Sequence, residues 1–177
     1  MMIRTVSQIA AEMADREAIR DCLFRYSRGI DRMDPVLLAS AYWPGAMDYH
    51  TGFTGTVEEF VEWAMPRLAA MEQNMHMVGN ILIRFTDDTT AAVETYLWSV
   101  SVLPGDTPKQ VMTCGRYVDR FEKRNDEWRI AERTVVHDWF NESEEPGDWA
   151  AGPFGMSGLL RGTVKPEDPS YRLPGLP

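Results

Sequence analysis

Tyr26-Ser27-Arg28-Gly29-Ile30-Asp31-Arg32-Met33-Asp34 closes one long apolar pattern and turns the chain back on itself. Upstream of it, Ile19, Cys22, Leu23, Tyr26 and Ile30 recur at three- and four-residue spacing, the stripe of a helix over residues 7–32. On an ideal wheel Asp31 lies about a quarter-turn to the side of that stripe. Gly29 is expected to loosen the last turn and re-aim it. Asp34-Pro35 then caps and opens a second, short helix over 36–42, which should end before Trp43-Pro44-Gly45.

Working outward, 46–53 reads as a short strand, with Gly52 and Gly55 in turns. Thr56 followed three residues later by Glu59 is a capping box and opens a third helix, which Pro66 should kink or interrupt. From Met75 the period becomes strand-like. Four segments, 75–85, 90–103, 109–123 and 127–140, are separated by links as short as Thr86-Asp87-Asp88-Thr89 and Asn125-Asp126. Short links between long strands mean an antiparallel meander. Helices first and a sheet after make the chain α+β.

The bulk properties fit one soluble domain. The chain has 177 residues, 44% of them hydrophobic and 25% charged. No apolar run reaches the length of a membrane span, and the first residues lack a signal-peptide pattern, so no membrane association and a cytoplasmic location are expected. A net charge of −9 argues against nucleic acid as a partner. Part of the acidity, Glu142, Glu144, Glu145 and Asp148, is expected in one loop. From Asn141 the composition shifts: the tail holds six of the eleven prolines, yet also Trp149, Phe154, Leu159, Leu160 and Tyr171. The expected division is therefore a domain over 1–141 and an extension over 142–177 that packs on the body or on a neighbouring subunit.

Two cysteines, Cys22 and Cys114, give neither a disulfide framework nor ligand spacing, and each reads as a small apolar residue. His76 lies in Asn74-Met75-His76-Met77-Val78, at the start of the first long strand, among apolar neighbours. An imidazole there can serve as a base near neutral pH; the plain alternative is a buried histidine bonded to a carbonyl. Asp31 would hold that imidazole in one tautomer, or else be an exposed acid at a helix end. Tyr26 and Tyr49 are candidate donors to a substrate oxygen, although Tyr26 on the apolar stripe also suits core packing. Arg133, Val135 and His137 share a face of the last strand by alternation. Arg133 would bind an anion or form an ion pair with Glu94 or Glu132. Trp98, Cys114 and His137 complete the expected substrate contacts. Asp48 and His50 also share a strand face, but no His-Glu-x-x-His or Cys-x-x-Cys is present, and a metal site is not expected. Gly-x-Gly-x-x-Gly, a phosphate loop and Gly-x-Ser-x-Gly are likewise missing, which points to a cofactor-free site.

Taken in order, Ala18-Ile19-Arg20-Asp21 leading to Tyr26 and Asp31, then Asn74-Met75-His76-Met77, Gly115-Arg116-Tyr117-Val118-Asp119 and Trp128-Arg129-Ile130 leading to Arg133 resemble the SnoaL-like branch of the nuclear transport factor 2-like superfamily, over residues 10–140. Within it the pattern is similar to the scytalone dehydratases, hexachlorocyclohexane dehydrochlorinases and bile-acid 7α-dehydratases. The resemblance implies a cone, in which a curved antiparallel sheet wraps around three helices. It implies a cofactor-independent lyase acting on a small hydrophobic molecule, an assembly that is a homotrimer or a dimer, and a C-terminal pocket cover. It implies Asp31 and His76 as the catalytic dyad, Tyr26 as a catalytic tyrosine, Tyr49 as a carbonyl-polarising group and Arg133 as a substrate arginine. An isomerase or cyclase using the same pair, and a non-catalytic ligand-binding module, are the other readings. The tail matches none of the three enzyme types, and no second histidine occurs in Met112-Thr113-Cys114-Gly115-Arg116, so substrate identity does not carry over.

Overall fold

A computed structural model of the chain describes residues 4–144, 147–151, 155 and 159–177. Helix α1 (Val6–Asp31) begins at a capping box that the sequence reading did not use: Thr5 accepts from the Gln8 backbone N–H at 3.2 Å, and Gln8 accepts from the Thr5 N–H at 2.8 Å. Its buried stripe is Ile19, Cys22, Leu23, Tyr26 and Ile30. Gly29 does not loosen the helix. A Cβ there would lie 2.6 Å from the Leu38 backbone nitrogen, so glycine is what lets α2 (Pro35–Ser40) pack directly on α1. Asp34 caps α2 by accepting from the Leu37 N–H at 3.1 Å, and Pro35 occupies its first turn.

Strand β1 (Tyr42–His50) starts earlier than expected and takes in Trp43-Pro44-Gly45. Its hairpin partner β2 (Phe53–Thr56) contains Gly55, while Gly52 makes the turn at φ +80°. The Thr56–Glu59 capping box opens α3 (Val57–Ala69), which runs through Pro66 to Ala69 without ending there. The meander follows as β3 (Gln73–Phe85), β4 (Thr90–Leu103), β5 (Lys109–Arg124) and β6 (Glu127–Glu144).

The result is an α+β fold: an open, curved six-stranded sheet in the order β2-β1-β6-β5-β4-β3, with the helices on its concave side. One pairing departs from the antiparallel expectation. β1 runs parallel to β6, with Asp48 opposite Arg133. The chain passes through α3 and the whole meander before returning, and a connection that long permits a parallel pair. The core lies between helices and sheet, with Ile19, Leu23, Tyr26, Leu38, Phe60, Ile83, Tyr117 and Trp128 buried in it. Among the described residues no helix is long and apolar enough to cross a membrane.

β6 carries Glu142 and Glu144, so these belong to a strand and not to the expected loop, and the strand continues past residue 141. Glu145 and Phe154 lie outside the described residues. The last segment is tied to the end of α1. The Lys165 N–H donates to the Arg32 carbonyl at 2.9 Å, Arg32 pairs with Asp168 at 3.1 Å, Lys165 pairs with Asp34 at 2.6 Å, and the Arg28 guanidinium lies over the Tyr171 ring at 4.8 Å.

Candidate active site

His76 follows from strand alternation. Val78 packs on the core, so His76, two residues earlier on β3, projects from the same, concave side of the sheet. Asp31 is the last residue of α1 and reaches the free margin of β3, which is an edge strand. Its Oδ2 accepts the His76 backbone N–H at 2.9 Å, and its Oδ1 stands 2.8 Å from His76 Nδ1. Asn74 donates to Asp31 at 3.4 Å and accepts the Ser101 hydroxyl at 2.9 Å, which steadies the carboxylate from the side. An ionised carboxylate only accepts, so Nδ1 carries the proton of that bond. Nε2 has no hydrogen-bond partner among the described residues. Both side chains are largely buried. The arrangement can present an unshared imidazole nitrogen to a substrate.

A cavity of about 780 Å³ adjoins this pair. Ile30, Asp31, Asn74, Val102, Trp149 and Arg161 are among its walls, so it lies between the end of α1, the start of β3 and the tail. Asp31 belongs to it and the His76 ring does not.

A second polar cluster lies deeper. Arg133 is 0% exposed; its Nε and Nη2 donate to the two oxygens of Asp119 at 2.8 and 2.6 Å, and its guanidinium sits 4.1 Å from the Tyr26 ring and 3.9 Å from the Tyr117 ring. Burial works against the arginine's charge, yet Asp119 and the tyrosine oxygens hold it well above its ordinary range. Burial also raises Asp119, against the pull of Arg133. The partner is thus neither Glu94 nor Glu132; Glu94 pairs with Arg116 instead. Burial pushes the Tyr26 hydroxyl up to about 12, so it stays a neutral group packed on Arg133. Beside it, Asp48 accepts the Tyr42 hydroxyl at 2.5 Å and its other oxygen meets His50 Nδ1.

Four expected contacts fall elsewhere. Tyr49 points opposite to the buried Asp48 and shares the convex side of the sheet. Trp98, 44% exposed, pairs with Cys114 on that convex side, next to Met77 and Trp139. Parity places them away from His76. The fourth, His137, is exposed although it faces Gly115 and so keeps the side of Arg133 and Val135; the extra residue of β6 follows it, since Cys114 already faces Trp139. Asp119 and Tyr42 were missed. Asp119 falls between Tyr117 and Phe121 in a strand whose alternate residues are buried, and that pattern alone demands a buried partner for it. Among the described residues no three His, Cys, Asp or Glu side chains converge as a metal site would need.

A model of the SnoaL-like domain matches residues 11–134. The chain belongs to the SnoaL-like domain family. A search of curated proteins gives no match. Among solved structures, this SnoaL-like chain is similar to a putative scytalone dehydratase from Novosphingobium aromaticivorans, at 20% identity and a TM-score of 0.68, over 84% of this chain and 99% of that one. It is similar to a type 2 hexachlorocyclohexane dehydrochlorinase, at 20% identity and a TM-score of 0.70, over 81% and 97%. A protein of cystatin-like fold from Nostoc punctiforme shares 18% identity at a TM-score of 0.55, over 77% and 96%. At these identities the likeness is one of fold.

Proposed function

We propose that this protein is a cofactor-independent, dehydratase-type lyase. His76 removes a proton beside a carbonyl or leaving group through Nε2, and Asp31 fixes its tautomer and stabilises the imidazolium. The supporting observation is the double engagement of His76 by Asp31, through backbone and ring, which leaves Nε2 unshared. The substrate class is a small hydrophobic hydroxy-carbonyl compound, polyketide, steroid or aromatic. Apolar walls near Asp31, such as Ile30 and Val102, suit such a molecule. The test is turnover by the wild type and by His76→Ala against panels of these compounds, with product mass recorded. Loss of water or halide that depends on His76 supports the reading; near-normal turnover in His76→Ala ends it, and an unchanged mass assigns the pair to an isomerase or cyclase.

Self-association belongs to the same reading. Met75, Met77, Tyr96, Trp98 and Trp139 are each about half exposed on the convex side of the sheet. Arg116 beside them is already paired with Glu94 and Asp138, so two copies of this face can meet without repulsion. The occupant is a second copy of this chain. Light scattering that finds only monomer, or Trp98→Glu that leaves the assembly intact, would remove it.

A further inference from the structure

The cavity beside Asp31, about 780 Å³, is large enough to enclose one small organic molecule. One of its walls is sheet: Val100 and Val102 of β4 stand opposite Met75 and Gln73 of β3. Ile30 and Leu68, near the ends of α1 and α3, extend the apolar part of that wall. Another wall comes from the tail and carries Trp149 and Arg161. Arg161 is held in two ways. Its guanidinium lies over the Trp149 ring at 4.4 Å, and its Nη2 donates to the side-chain oxygen of Gln73, which also accepts the Trp149 indole N–H at 3.1 Å. These partners are neutral. Arg32, Arg116 and Arg133 each meet a carboxylate. Arg161 pairs with none among the described residues, although Glu72 and Asp148 border the same cavity. Its Nε and Nη1 likewise have no hydrogen-bond partner among the described residues. A guanidinium stacked by its face keeps its N–H groups in one plane, in the fork that a carboxylate accepts side by side. The acids of the wall do not forbid an anion. Asp31 is engaged by His76 and Asn74, and Glu72 and Asp148 are exposed, where water and salt screen their repulsion.

We propose that this cavity binds a small amphipathic acid, its carboxylate on Arg161 and its apolar body on Val100, Val102, Ile30 and Leu68. Trp149 and Gln73 position the guanidinium. Burial of the body supplies affinity, and the in-plane N–H groups supply the preference for the acid over its neutral counterpart. The His76 ring is not in the wall. Recognition here therefore needs no step at the Asp31–His76 pair and is independent of the lyase reading.

The experiment is titration calorimetry of the full chain with naphthylacetate and with naphthylacetamide, which share a shape and differ in charge. The acid should bind the wild type about tenfold more tightly than the amide, the difference expected of hydrogen bonds to a charged group. Arg161→Gln should lower the affinity for the acid to that for the amide. Its affinity for the amide should stay at the wild-type value, which shows that the cavity is intact. Val102→Phe takes up space in the apolar wall and should weaken both ligands. Equal binding of acid and amide by the wild type, or a preference that survives in Arg161→Gln, overturns the role of Arg161. Binding of neither ligand, or undiminished binding of both in Val102→Phe, overturns the site itself. Turnover is not read, so each of these failures leaves the lyase reading standing.

Discussion

Asp31 holds His76 twice, taking its backbone N–H at 2.9 Å and facing its ring Nδ1 at 2.8 Å. An amide in that place keeps only one of the two bonds in the right sense. In Asp31→Asn the side-chain oxygen can still accept the backbone N–H, but the NH₂ group turns toward Nδ1 and favours the tautomer with its proton on Nε2. The expected outcome is a kcat lowered by about 10²–10⁴-fold with the melting temperature nearly unchanged. Steady-state kinetics beside a thermal melt checks it; equal activity of the variant would show that the ring needs no orientation.

The Arg133–Asp119 pair is fully buried, so its two halves cannot be removed independently. Arg133→Met leaves Asp119 without a counter-charge and should cost about 3–5 kcal/mol. Urea denaturation measures this. Arg133→Met combined with Asp119→Leu should recover much of the loss, because the uncompensated charge is gone.

Gly29 is a steric requirement of the α1–α2 contact. Gly29→Ala puts a methyl group 2.6 Å from the Leu38 nitrogen and 2.7 Å from its Cα. Overpacking of about 1–3 kcal/mol then outweighs the helix propensity that alanine adds, about 1 kcal/mol. The same urea experiment should show a lower midpoint with an unchanged slope.

Docking of the tail should weaken in acid. Asp168 is held down to about 2, from an ordinary 3.8, by the Ser170 hydroxyl, the Thr163 N–H, the Ser170 N–H and then Arg32, against the opposing effect of burial. A depressed carboxyl contributes stability that is complete above its unfolded value and is lost as pH falls through its folded value. Amide exchange over residues 163–173 should therefore accelerate between about pH 4 and pH 2 relative to neighbouring segments. Asp168→Asn should show fast exchange in this segment already at neutral pH, with no such step.

Local chemistry was legible in the sequence, and pairing was not. The Thr56–Glu59 capping box, the α1 stripe and the four meander segments each depend on residues a few positions apart, and all are found close to where they were read. Tyr42 was read as the end of a helix because Trp43-Pro44-Gly45 follows it. Its place in β1 depends on β6, nearly ninety residues later in the chain. The partner of Arg133 was misjudged for the same reason: Asp119 lies opposite it only through the β5–β6 register. His137 shows the limit of alternation itself: it keeps the side of Arg133 and Val135, opposite Gly115, yet it is exposed, because alternation gives direction and not cover. For Asp31, the wheel left its direction open. What decides it is the unpaired backbone of β3, a receptor that exists only once the sheet has formed.

That receptor links two properties that mutagenesis usually treats apart. An edge strand offers its open amides to any extended peptide that comes near, and at His76 the occupant of that position is the Asp31 carboxylate. Substituting Asp31 with an apolar residue therefore uncovers a sticky sheet border as well as silencing an imidazole. Such a variant should precipitate or pair strand-to-strand more readily than one altered at His76, and loss of soluble protein would travel with loss of turnover at this one position.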